Sequence, residues 1–166
     1  MSEDWLPELL LFKDSNGVWS DYLERLHQQF IHDFVHSVPI WGNKRVALKR
    51  HPEYEGKSAT FWHMISTGDD EAERLPDFRR CERIAWVRCM IDRFSEVPHK
   101  LDSQVIWWKE KRGANEWRYV LALSDFSYMV IVADRGEYVL PWTAYYIEYE
   151  HQRRRYKKKW QEFWKS

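Results

Sequence analysis

Apolar residues recur along this chain with two different periods, and the change of period divides it. Residues 126–133, FSYMVIVA, are almost wholly apolar, the pattern of a strand that lies centrally in a sheet and is covered on at least one face. Residues 138–147 predict its antiparallel partner, joined through Asp134, Arg135 and Gly136, where the glycine accepts the positive φ of a tight loop. Pro141 lies within that second strand. Having no N–H to give to a ladder, it predicts an edge position or a bulge. Upstream, residues 104–112 (QVIWWKEKR) and 117–124 predict two further strands turned through residues 113–116. Trp117, Tyr119, Leu121 and Leu123 alternate onto one face of the second.

The N-terminal half follows the helical period instead. Leu23, Leu26, Phe30 and Phe34 form an apolar stripe, with Ser20 placed as N-cap, Asp21 and Glu24 in the first turn, and Pro39 as the stop. Residues 45–50 predict a short strand. Turn signals at Pro52 and Gly56 then surround an aromatic cluster centred on Phe61, Trp62, His63, Met64 and Ile65. An acidic stretch, residues 69–73, leads into a second helix with Pro76 at its first position. On that helix Ile84, Val87, Ile91 and Phe94 make a stripe facing the sheet, and Arg80 falls on the same stripe one turn earlier. From residue 148 the chain reads as helix, packed through Tyr156, Trp160 and Phe163 or Trp164. The expected fold is α+β: N-terminal helices packed on a four-stranded antiparallel β-meander, followed by a C-terminal basic helix. One domain is expected over residues 1–166, with an arm (1–16), a helical part (17–100), the meander (101–149) and the basic tail (150–166).

Composition narrows the function classes. The chain of 166 residues is 44% hydrophobic and 31% charged, a globular balance. Its 11 Trp, 9 Tyr and 8 Phe exceed the needs of one core, which predicts rings at a contact surface. Lys and Arg (26) balance Asp and Glu (26), against a uniformly basic nucleic-acid binder. The charge is nevertheless segregated, acidic early and at 69–73, basic in RRRYKKK at 153–159. The acidic start, the absence of a long apolar run and the spacing of Cys81 and Cys89 predict a soluble, reduced, cytoplasmic protein without secretory leader, membrane span or zinc motif. No phosphate-loop, dinucleotide or serine-hydrolase motif occurs, so no cofactor and no metal is expected.

The candidate chemistry is dispersed. Thr143 and Tyr145 share one side of the edge strand, as two surface hydroxyls or as one wall of a site. His63 sits among apolar neighbours, a core residue or a catalytic one. Arg79, Arg80 and Arg83 cluster at a helix start, as a buried pair with the upstream acids or as an anion clamp. Lys109 and Lys111 share a strand side, and Arg153, Arg154, Lys157 and Lys158 lie in the basic tail; both groups are solvated charge or phosphate contacts. His27, His32 and His36 lie along the first helix without a carboxylate pattern and read as solvated.

An FWHMIS segment, then an Arg-rich helix RRCERIAW, then a hairpin carrying TAY and a basic tail resemble the phage-type branch of the barnase–EndoU–colicin–RelE (BECR) nuclease superfamily, over roughly residues 45–160. The resemblance implies a metal-independent endoribonuclease, a phage or mobile-element toxin or effector acting on RNA such as tRNA. It assigns the site to His63, Arg80 or Arg83, Thr143 and Tyr145; Arg79, Lys109, Lys111, Arg153, Arg154, Lys157 and Lys158, read from their charge and placement, are the expected substrate contacts. RNA and an inhibitor or host protein are the implied partners, with no membrane. The alternative from a different class is a non-catalytic phage or mobile-element protein that binds a host protein or nucleic acid through its aromatic and charged patches.

Overall fold

The structure, a computed structural model, describes residues 5–68, 70, 73–94 and 104–165. Parts of the expected arm (1–4), acidic stretch (69, 71 and 72) and helical part (95–100) lie outside the described residues. The fold is α+β. Its helices are α1 (Trp19–Phe34), α2 (Ala59–Ile65), α3 (Phe78–Glu82), α4 (Ile84–Asp92) and α5 (Glu150–Lys165). Its strands are β1 (Arg45–Val46), the small pair β2 (Ser66–Thr67) and β3 (Leu75–Pro76), and the long β4 (Val105–Arg112), β5 (Glu116–Leu123), β6 (Tyr128–Asp134) and β7 (Tyr138–Tyr146). No helix among the described residues is long and apolar enough to cross a membrane.

The main sheet has five strands in the order β1-β7-β6-β5-β4, one more than the pattern predicts. Strands β4 to β7 are antiparallel neighbours in sequence order, and β1 adds to β7 in parallel at Tyr138 and Val139 only. Pro141 meets one of its two expectations, the bulge, since β7 lies between β1 and β6 and is not the edge strand. It lies beyond the reach of β1, and the register steps from Ile131–Thr143 to Val132–Pro141, so Trp142 bulges out of the ladder.

Two cores sandwich the sheet. On one face Tyr119, Leu121, Leu123, Val130 and Val132 pack with Leu26 and Phe30 of α1 and Ile84, Val87 and Ile91 of α4. On the other face Ile106, Trp108, Val120, Met129 and Ile131 pack under Trp160 of α5. Together they absorb most of the aromatic surplus: Trp41, Trp107, Trp108 and Trp160 are buried, and Trp117 is the one strongly exposed tryptophan among the described residues.

Four local expectations are corrected. Helix α1 starts one residue before Ser20, is capped by the backbone of Val18 with no side-chain bond, and ends at Phe34, ahead of Pro39. The second helix is two: Arg83 adopts φ −108° and ψ 16° and breaks it, while Pro76 belongs to β3 and Asp77 is the cap. Strand β1 spans two residues where six are expected. Phe126 is a turn residue with φ 61°, its ring buried in the second core, so β6 begins two residues later.

His27 is half-buried, its ring 4.9 Å from Phe61 edge-on, whereas His32 and His36 are exposed as expected. Burial, and then the charge of Lys57, lower the His27 pKa below its ordinary value. The unfolded chain therefore takes up a proton that the folded chain resists, and stability is lost as pH falls through and below about 6.5. Thermal unfolding followed from about pH 7.5 to about pH 5.5 should show that loss, and His27→Leu should reduce it. An equal loss in the variant would place the acid sensitivity elsewhere.

Candidate functional site

The open length of β7 is where the site forms. Helix α2, capped by Ser58 Oγ accepting from Phe61 N–H (3.4 Å), runs against it, and its His63 carbonyl accepts from Thr143 beside the bulge. Asp77 caps α3 by accepting from the N–H groups of Arg79 (3.0 Å) and Arg80 (3.3 Å). This cap turns Arg80 toward the sheet edge, its Nε 3.6 Å from Asp77 Oδ2.

One Arg80 nitrogen, Nη1, donates to Ser66 O (2.8 Å), to Thr143 Oγ1 (3.3 Å) and at long range to His63 O (3.5 Å). Thr143 Oγ1 in turn donates to His63 O at 2.8 Å. The guanidinium lies 5.2 Å from the Tyr145 ring centre. His63 is 5% exposed, with its ring edge-on to Trp142 at 5.1 Å. His63, Arg80, Thr143 and Tyr145, expected from sequence to act together, are thus joined by one chain of contacts.

These four residues line a cleft of about 360 Å³, together with Arg74, Arg112, Arg118 and Trp142. Arg74 is held by Ser66 Oγ (2.8 Å), Ser66 O (2.6 Å) and Gly68 O (2.7 Å). Arg118 stacks over Trp142 at 4.9 Å and reaches Glu116 at 3.5 Å. Four guanidiniums around one cleft select an anion, with planar forks suited to phosphate or carboxylate.

Protonation is shaped by burial. Desolvation raises the Tyr145 pKa above its ordinary value, Tyr156 adds to the rise and Arg80 opposes it. Desolvation lowers that of Arg80, against Asp77, Tyr145 and Tyr128; a guanidinium still keeps its charge at neutral pH.

The other predicted contacts lie apart. Arg83 is buried on the opposite face, 4.2 Å over the Tyr146 ring and 5.1 Å over Trp86. Arg79 (5.5 Å) and Arg153 (5.9 Å) approach the same Tyr146 ring. Lys109 and Lys111 stand over Trp117 on the face opposite Arg112 and Arg118. Arg154, Lys157 and Lys158 are exposed on α5, while Arg153 donates to Ile147 O at 2.8 Å and pins the start of that helix. Sequence reasoning missed Arg74, Arg112, Arg118 and Trp142. The signal for two of them was strand parity: Arg112 shares a side with Trp108, and Arg118 with Val120.

No protein-family model, curated protein or solved structure matches this chain.

The Thr143 hydroxyl is both acceptor from Arg80 and donor to His63 O. Thr143→Val should lower stability by about 1 kcal/mol, the net worth of a typical hydrogen bond, since both of its bonds are part-buried, whereas Thr143→Ser should stay close to the parent. Denaturant unfolding of both variants tests this; equal stabilities would show that the hydroxyl does not hold the site together.

Proposed function

We propose that this cleft binds an RNA phosphodiester and cleaves it without a metal ion, as an endoribonuclease of the BECR type. The observation that carries the reading is the contact chain from Arg80 through Thr143 to the His63 main-chain carbonyl, which sets His63 at a cleft lined also by Arg74, Arg112 and Arg118.

Cleavage proceeds by attack of the ribose 2′-oxygen on phosphorus, leaving a 2′,3′-cyclic phosphate and a 5′-hydroxyl. His63 takes the 2′-proton as general base. The Tyr145 phenol, protonated at neutral pH as any tyrosine is, gives a proton to the departing 5′-oxygen. Arg80 and Arg118 stabilise the extra charge of the phosphorane, where fixed donors in a partly dry site act most strongly. Thr143 holds the Arg80 fork in place. Arg154, Lys157 and Lys158, exposed on α5, contact flanking phosphates. In this reading the helices over the four-stranded meander, with the basic C-terminal helix, are the family's arrangement, and the protein is a cytoplasmic phage or mobile-element effector that acts on RNA such as tRNA.

Incubation of total RNA with the protein in EDTA should yield fragments ending in cyclic phosphate. His63→Ala should slow cleavage about 10²–10⁴-fold, the usual worth of a positioned base. Arg80→Lys, which removes the fork but keeps the charge, should also lose rate. Equal rates for the parent and His63→Ala would remove His63 from the mechanism.

The tail gives a separate test. Replacing Arg154, Lys157 and Lys158 with Gln should weaken binding to every RNA alike and flatten its salt dependence by about 0.7 per lost phosphate contact. Arg153 is left intact because it anchors α5. An unchanged salt slope would show that the α5 surface does not touch RNA.

A further inference from the structure

A second cavity, about 320 Å³, adjoins the cleft and has a different lining: Trp19, Tyr54 and Trp62, with Glu55, Arg74 and Pro76. Consecutive residues feed the two spaces. Trp62 lines the cavity and His63 the cleft, Ser66 lines the cavity and Thr67 the cleft, and Arg74 borders both. The two spaces therefore lie on either side of this segment and meet at Arg74.

The three rings line one space without stacking on one another. Trp19 meets Tyr22 and Phe78 instead, and Trp62 meets Phe61 and donates its indole N–H to Tyr54 O at 3.1 Å. Three aromatic side chains around one space are a lining suited to a flat guest such as a nucleobase.

Glu55 is held at the rim by a tight turn. Tyr54 and Lys57 exchange backbone hydrogen bonds (3.1 and 2.9 Å) across Glu55 and Gly56, which have φ of 54° and 71°. A positive φ is unusual for a residue with a Cβ; the turn sets the backbone at this rim, and the exposed Glu55 side chain lines the cavity with the rings. Ionised, that group accepts only. It pairs with exocyclic amino groups and repels the paired carbonyls that flank the one N–H of uracil.

We infer that this cavity is the nucleobase subsite of the enzyme, stacking a base next to the scissile phosphate and preferring one with an exocyclic amino group over uracil. The inference rests on the reading of the adjoining cleft as an RNA phosphate site.

Two measurements separate the subsite from the cleavage activity. The first uses oligodeoxynucleotides with a single ribonucleotide, so that one bond is cleavable, and varies the base on each side of it. The parent protein should cleave amino-bearing contexts about tenfold or more faster than uracil contexts on one side. Glu55→Gln should level that preference, and Tyr54→Ala should slow all contexts. A parent indifferent to both neighbours, or a Glu55→Gln variant with the preference intact, overturns the subsite and leaves the ribonuclease reading standing.

The second measurement is independent of catalysis: titration of the four nucleoside monophosphates, followed by the Trp62 indole N–H resonance. Shifts with adenosine, guanosine and cytidine monophosphates, weaker with uridine and lost in Tyr54→Ala, are expected even in a protein made inactive by His63→Ala. Absence of any shift overturns the subsite, and so do shifts that ignore the base.

Discussion

The structure turns on the burial of one positive charge. Arg80 is largely withdrawn from water, its side chain 13% exposed, and a buried cation is tolerated only when acceptors surround it. Those acceptors come from three elements distant in sequence: Asp77 at the start of α3, the Ser66 and His63 carbonyls at the end of α2, and the Thr143 hydroxyl of β7. The end of a helix carries partial negative charge, so α2 and the guanidinium also attract through the helix dipole. Pairing Arg80 with these acceptors ties α2, α3 and β7 to one another. The same ties bring His63 and Tyr145 to one cleft.

Why this occurs at β7 follows from Pro141. A proline in a ladder leaves no N–H for a neighbour, and the strand answers with a bulge that throws out Trp142. Because β1 covers only Tyr138 and Val139, the rest of β7 would be an open edge prone to pairing with other chains. Helix α2 covers it instead, bonding through Thr143 to His63 O. Bulge, covered edge and cleft are one solution to one covalent constraint.

The two faces of the sheet then divide the labour. The face under α1 and α4 is closed by aromatic and aliphatic packing, and Arg83 is consumed there between Tyr146 and Trp86. The face under α5 is apolar at Ile106, Trp108 and Val120 and becomes polar toward Arg112 and Arg118, where the helix no longer covers it. Tyr145 stands at that border, where burial pushes its phenol pKa up while the residue still lines the cleft.

Sequence alone determined what depends on local period and covalent chemistry. The long strands, the stripe of Ile84, Val87 and Ile91, the fate of Pro141 and the shared side of Thr143 and Tyr145 were legible, because side-chain direction follows from spacing within one element. The break at Arg83, the turn at Phe126 and the brevity of β1 were not, because each is set by packing or by a backbone conformation that no local period encodes. Only the tertiary structure decided which arginines meet. Arg79, Arg80 and Arg83 are near neighbours in sequence, yet Arg80 turns to the cleft while Arg79 and Arg83 turn to Tyr146. Arg112 and Arg118 joined Arg80 although separated from it by a whole strand and helix. Charge does not choose its partners by order along the chain; it goes where burial and acceptors allow it to remain charged.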